Sequence, residues 1–170
     1  SLSSDGTILA VGDDGDNIVI VYQYNGNNYD IIDSNLIGSG NNFGASVSLS
    51  SDGTILAVSD INYDVYVYQY NGSNYEIINS LPGGIGFGTS VCLSSDGTIL
   101  AVGDFGDNRV YVYQYNDTNY EIIDSNLTDV SNFGSSVSLS SDGSILAVGD
   151  FGDDRVTVFQ YNDTNYEIRD

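Results

Sequence analysis

The chain has 170 residues, of which 41% are hydrophobic, enough to bury a core, and only 16% are charged. Asp and Glu number 24 against three Arg and no Lys, and the net charge of −21 repels phosphate backbones and anionic membrane surfaces. With no His and a single Cys, Cys92, the sequence lacks the commonest general base, an internal disulfide and a thiolate metal cluster. No apolar run approaches membrane-spanning length. The absence of Met, with a start inside a repeat, leads us to expect a processed or truncated start at Ser1.

The first unit opens with LSSDGTILAV at 2–11 and continues through the polar loop GDDGDN (12–17) to the turn NGNN (25–28). The second unit gives the fullest reading. ASVSLS (45–50) alternates as a strand, A, and SDG (51–53) is a tight turn. TILAVS (54–59) is a short apolar strand, B, followed by the polar loop DINYD (60–64). VYVYQY (65–70) is a β-branched and aromatic strand, C. NGSN (71–74) turns the chain into a fourth strand, D, at YEIIN (75–79). The third unit repeats LSSDGTILAV at 93–102, then GDFGDN (103–108) and NDTN (116–119). The fourth has LSSDGSILAV at 139–148, GDFGDD (149–154) and NDTN (162–165).

These units start at Ser1, Ser48, Cys92 and Ser138, a period that belongs to propellers or solenoids. No segment carries a helical apolar period of useful length. The expected fold is all-β: a β-propeller of four-stranded antiparallel blades, with four repeats at about 1–33, 45–79, 89–124 and 135–170. The whole chain, 1–170, is a single propeller or a propeller segment. Strands B and C are apolar on both faces, so each blade needs a neighbour on each side. Strand D carries Asp30, Glu76, Glu121 and Glu167 at one position, as an outermost strand should to prevent edge pairing. Four such blades close into a ring, belong to a longer chain, or are completed by another copy. The missing Met and the start at Ser1 favour a longer or multi-chain assembly; a ring would set Leu2 and Val11 against the blade holding Leu146 and Val158.

The stretch FGASVSLSSDGTILAVSD…VYVYQYNG (43–72) resembles the FG-GAP repeat, the blade of integrin-α-like propellers. Its Phe-Gly pair recurs at Phe43–Gly44, Phe87–Gly88 and Phe133–Gly134. VGD or VSD replaces the GAP element, and the Asp-rich calcium hairpin of some such repeats is shortened to SSDG, so calcium is not carried over to that turn. SSDGTILAVGD also resembles WD-repeat blades, although the Trp-Asp ending is missing and the chain has no Trp. Both resemblances imply a propeller with a non-catalytic interaction role.

Up-and-down strand order puts the B–C and D–A connections on one face of the disc and the A–B and C–D turns on the other. The B–C loops bring ten carboxylates to the first face: Asp13, Asp14, Asp16, Asp60, Asp64, Asp104, Asp107, Asp150, Asp153 and Asp154. Two Asp three residues apart around a Gly could share one hard cation, which makes Asp104 with Asp107, and Asp150 with Asp153, calcium candidates. The alternative is that Asp and Gly simply make the turns and keep an apolar disc soluble. No other cofactor is expected. Arg109 and Arg155 follow two of these loops and neutralise part of the charge.

On the second face the turns suit Asn in hairpins, and Asn71, Asn116 and Asn162 also head glycosylation sequons. Asn126 heads a fourth, in a D–A loop, and Pro82, in another D–A loop, needs only a turn explanation. Cys92 replaces the Ser of the other units and reads as a small buried thiol.

The reading that follows is a non-catalytic extracellular or cell-surface propeller, a structural, adhesion or protein-interaction glycoprotein. Its expected partners are proteins or glycans, itself, or further blades of a longer chain, without nucleic acid or membrane insertion. The alternative is an intracellular WD-repeat scaffold, favoured by the lack of disulfides. A propeller glycosidase is the remaining possibility. A catalytic site should break the repeat symmetry. The residues that do so (Cys92, Pro82, Ile61, Asn62, Tyr63 and the Arg residues) form no acid–base or nucleophile set.

Overall fold

The computed structural model describes residues 1–170 apart from 39, 41, 62, 63, 130, 131 and 170. It is all-β, with four antiparallel sheets in sequence order and no helix among the described residues. The first blade holds β1 (Ile8–Asp13), β2 (Ile18–Tyr24) and β3 (Tyr29–Ile37). The second holds β4 (Phe43–Leu49), β5 (Ile55–Asp60), β6 (Asp64–Tyr70) and β7 (Tyr75–Pro82). The third holds β8 (Phe87–Leu93), β9 (Ile99–Asp104), β10 (Arg109–Tyr115) and β11 (Tyr120–Thr128). The fourth holds β12 (Phe133–Leu139), β13 (Ile145–Asp150), β14 (Arg155–Tyr161) and the short β15 (Tyr166–Ile168).

Two boundaries differ from the sequence expectation. The A strands begin at Phe43, Phe87 and Phe133, because each Phe pairs with the last residue of strand B, Asp60, Asp104 or Asp150. The D strands run on to Ile37, Pro82 and Thr128, carried past irregularities in their pairing with strand C. Pro82 and Asn126 therefore lie in outer strands, not in loops. The first blade is not a full four-stranded sheet. Its A strand is one bridge, Leu2 to Leu9, since only the counterpart of the end of β4 is present there.

The A strands converge. Leu2, Leu49, Leu93 and Leu139, with Ser4, Ser51, Ser95 and Ser141, line one cavity of about 170 Å³. Between blades the packing repeats. Ile8, Ala10, Val19, Val21 and Leu36 of the first blade meet Phe43, Leu56, Val58, Tyr68 and Tyr75 of the second. The corresponding side chains form the second and third joints. Phe43, Phe87 and Phe133 are the largest fully buried side chains, and each such group adds about 1.5–3 kcal/mol.

Polar bonds reinforce each joint. The N–H groups of Ser4, Ser51 and Ser95 donate to the carbonyls of Ser51, Ser95 and Ser141 in the next blade, at 2.8 Å each. Leu49, Leu93 and Leu139 donate backward to Ser1 Oγ, Ser48 Oγ and Cys92 Sγ.

The repeated LSSDG turn now has a physical account. Asp52 Oδ1 accepts from the Ser50 hydroxyl at 2.7 Å and from the Thr54 N–H and hydroxyl at 2.9 and 2.8 Å. Gly53 then turns the chain at φ +73°. Asp5, Asp96 and Asp142 repeat the lock. The first Tyr of each D strand ties it down: Tyr29, Tyr75, Tyr120 and Tyr166 donate to the carbonyls of Gly6, Gly53, Gly97 and Gly143. Burial pushes the Tyr75, Tyr120 and Tyr166 hydroxyls up, that of Tyr166 to about 12.

Candidate functional site

The Tyr clamps set the A–B and C–D turns on one face. The opposite face carries the B–C loops and D–A connections, joined by the Asn42 N–H donating to Asn17 Oδ1 and the Asn132 N–H to Asn108 Oδ1. This loop face is the candidate site.

Eight of its ten carboxylates divide into two sets, while Asp13 is exposed and Asp64 half-buried. Asp60, Asp104 and Asp150 end strand B and are buried, at 0%, 3% and 2% exposure, so they do not front solvent as the sequence suggested. They sit under the Phe-Gly start of strand A, where Phe and Asp share a register. Asp104 Oδ1 accepts the Asp107 N–H at 3.1 Å, and Asp150 Oδ1 accepts those of Gly152 and Asp153 at 3.1 and 3.2 Å. Asp13 caps the first loop in the same way. Burial pushes the Asp104 carboxyl above its ordinary range. The second set, Asp14, Asp16, Asp107, Asp153 and Asp154, is exposed.

The four calcium candidates thus form two Asx-capped turns, Asp104 with Asp107 and Asp150 with Asp153. Among the described residues no group of three or more carboxylate, Cys or His side chains is placed to hold a metal ion. Arg155 joins Asp129, Asp150 and Asp153 in a partly exposed ion-pair cluster. Arg109 instead donates to the Ser125 carbonyl at 2.7 Å and lies 5.8 Å over the Tyr111 ring. Asn62 and Tyr63, two of the symmetry-breaking residues, lie outside the described residues.

On the turn face Asn71, Asn116 and Asn162 are exposed, and each side-chain oxygen accepts two backbone N–H groups of its own hairpin. Asn126 is exposed on β11. Cys92 is half-buried. It accepts the Leu139 N–H at 3.3 Å, and burial raises its thiol.

One set of residues was missed by the sequence reading. Asp33, Asn79 and Asp124 each accept the N–H of the next blade's clamp Tyr, at Tyr75, Tyr120 and Tyr166. The available signal was an Asp or Asn four residues after Tyr29, Tyr75 and Tyr120, each the clamp Tyr of its own blade.

Residues 76–114 match a family model described as WD domain, G-beta repeat. They run from the outer strand of the second blade through β10, and the match falls on the second of the two resemblances seen in sequence. No curated protein matches the chain. Among solved structures, a chain in the crystal structure of the mitotic checkpoint complex aligns with a TM-score of 0.72 at 18% sequence identity. The alignment covers 95% of this chain and 50% of that one, so this chain spans about half of its length. The likeness shows the propeller fold.

Proposed function

We propose that the chain is a non-catalytic protein-interaction module, an intracellular scaffold of the WD-repeat kind, that offers its acidic loop face to a basic protein surface. The observation that carries this reading is the WD-repeat match at 76–114 on a propeller whose loops present exposed carboxylates along one face. Occurrence of the fold in a chain of the mitotic checkpoint complex supports a protein partner. Carboxylates on rigid capped turns give electrostatic complementarity and a fast on-rate more than raw affinity.

The test is affinity capture with the chain and with a variant carrying Asn at Asp14, Asp16, Asp107, Asp153 and Asp154. A partner identified by mass spectrometry is then purified and re-bound to both. The expected outcome is salt-sensitive binding that the variant loses. Equal binding by the two baits would remove the loop face from the proposal. The exposed sequon residues favour a second reading, a secreted adhesion or structural module bearing glycans at Asn71, Asn116, Asn162 and Asn126. A drop in intact mass of the native protein after glycosidase treatment would support it.

A further inference from the structure

Ile85 is the most exposed large hydrophobic side chain among the described residues, at 80%, and it stands in the connection from β7 to β8 on the loop face. Two residues before their own Phe-Gly, the other connections carry Asn41 and Ser131. The repeat itself therefore has no need of a large apolar side chain at this place.

The backbone under Ile85 is fixed. The Phe87 N–H donates to the Gly84 carbonyl at 3.1 Å, and the Thr89 hydroxyl to the Gly86 carbonyl at 2.6 Å. Gly86 has φ +91°, and the Ile85 carbonyl lies so close to Gly106 that no Cβ fits at position 106. On its other side the connection meets Ser59 and Val65 at Gly88. It is thus wedged between the B–C loops of the second and third blades. Those loops carry Ile61, half-buried, and Phe105, 38% exposed, each directly after the buried Asp that ends strand B. The first blade has Asp14 at that position. The second and third blades each have a neighbour on both sides, so this exposure owes nothing to where the sequence starts or stops. Asp107, two residues beyond Phe105, is exposed and sets a carboxylate beside the apolar group.

We infer that Ile61, Ile85 and Phe105 are the apolar anchor of the loop-face interface, and that the partner is a protein segment presenting a large apolar side chain flanked by Lys or Arg. The inference rests on the proposed use of the acidic loop face and adds the place on that face where the partner is gripped. An exposed apolar group rimmed by polar residues marks a contact surface, and a few buried anchors carry most of the energy of such a contact. The surrounding carboxylates select the flanks. With a net charge of −21 the chain repels a second copy of itself and draws a basic segment.

The probe is a fluorescein-labelled peptide with a Phe between pairs of Arg, and a matching peptide has Ala in place of the Phe. Fluorescence polarisation reads the binding, and amide NMR shifts of the isotopically labelled chain locate it. The Phe peptide should bind with shifts centred on Ile85 and Phe105. Ile85→Ser and Phe105→Asp install residues that sister units carry at those positions, so each should keep the parent's circular dichroism spectrum. Each should weaken the Phe peptide by about tenfold or more, to the level of the Ala peptide. Equal binding of the two peptides, lost with Asn at Asp14, Asp16, Asp107, Asp153 and Asp154, overturns the anchor and leaves the acidic-face reading standing. Binding that needs Ile85 yet survives those five substitutions overturns the basic flank, and with it the acidic-face reading. Absence of binding by the Phe peptide overturns the inference. Self-association of the chain that Ile85→Ser abolishes also overturns it, by making a second copy the occupant.

Discussion

The third and fourth blades share the sequence ILAVGDFGD, at 99–107 and 145–153, followed closely by Arg-Val. In the third blade Ile99 is 8% exposed, Ala101 and Val110 are 0% and Phe105 is 38%. In the fourth blade Ile145 and Ala147 are half-buried, Val156 is 66% exposed and Phe151 is 78% exposed. On one face the same residues in the same local structure are covered in the third blade and more exposed in the fourth, while Leu100 and Leu146 on the other face are both 0% exposed. Apolar character on both faces of a strand therefore encodes a demand for two neighbours, and position in the series decides whether the demand is met.

The largest expected effect breaks this comparison directly. Val110→Asp puts a charge into the joint between the third and fourth blades and should destabilise the fold by about 4 kcal/mol or more. The identical change at Val156 should stay within about 0.5 kcal/mol for the monomer, as for other exposed positions. Urea denaturation of the two variants, compared at equal protein concentration, measures both. Next in size is Phe87→Ala, which empties the buried ring site at the joint between the second and third blades and should cost about 3–5 kcal/mol. Phe151→Ala, on the exposed loop, should change the unfolding free energy by less than about 0.5 kcal/mol. If the pairs behave alike, burial by the neighbouring blade is not what holds these sheets.

That comparison also marks what could be read from sequence. Fourfold LSSDG and the VYVY run with its variants show the strands, their order and the two-sided burial, because turn chemistry and a β-branched apolar pattern are local. The same local signal misassigned Asp60, Asp104 and Asp150. An Asp opening a polar loop reads as an exposed turn, whereas each is buried under a Phe-Gly start that lies, for Asp104, 17 residues earlier in the chain. The Asp33, Asn79 and Asp124 caps were equally illegible, since their partners lie 41–42 residues away, in the next blade. The acidic loop face was visible as composition, but its division into capping and exposed carboxylates depends on tertiary contacts.

A smaller effect separates an inner from an outer clamp. Tyr120 is 4% exposed and donates to the Gly97 carbonyl, while Tyr29 makes the same bond from a 41% exposed position. Tyr120→Phe leaves that buried carbonyl short of its donor and should cost about 1 kcal/mol. Tyr29→Phe should cost less, since water replaces the hydroxyl. Thermal melts of the two variants under identical buffer resolve the difference, and equal losses would mean that neighbour burial does not strengthen the clamp.

The smallest effect concerns two carboxyls with opposite pH behaviour. The Ser140 hydroxyl and the Ser144 N–H and hydroxyl hold Asp142 at about 2, below its ordinary 3.8. A carboxyl whose value is lower in the folded state stabilises the fold above its unfolded value, and that increment disappears as pH falls from about 4 to about 2. Asp142→Asn should therefore lower the melting temperature at neutral pH, with the gap to the parent closing near pH 2. Asp104 runs the other way. Burial raises its value, so its charged form opposes folding above about pH 4, and protonation relieves that cost. Asn at 104 can still accept the Asp107 N–H through its side-chain oxygen, so Asp104→Asn should raise the melting temperature at neutral pH. That advantage should shrink as the parent is acidified. Melting temperatures of the parent and the two variants between about pH 2 and pH 7 would show gaps of opposite sign. A matching sign at neutral pH would mean that the turn lock and the buried loop cap are one electrostatic environment, against the division of the carboxylates drawn from their burial.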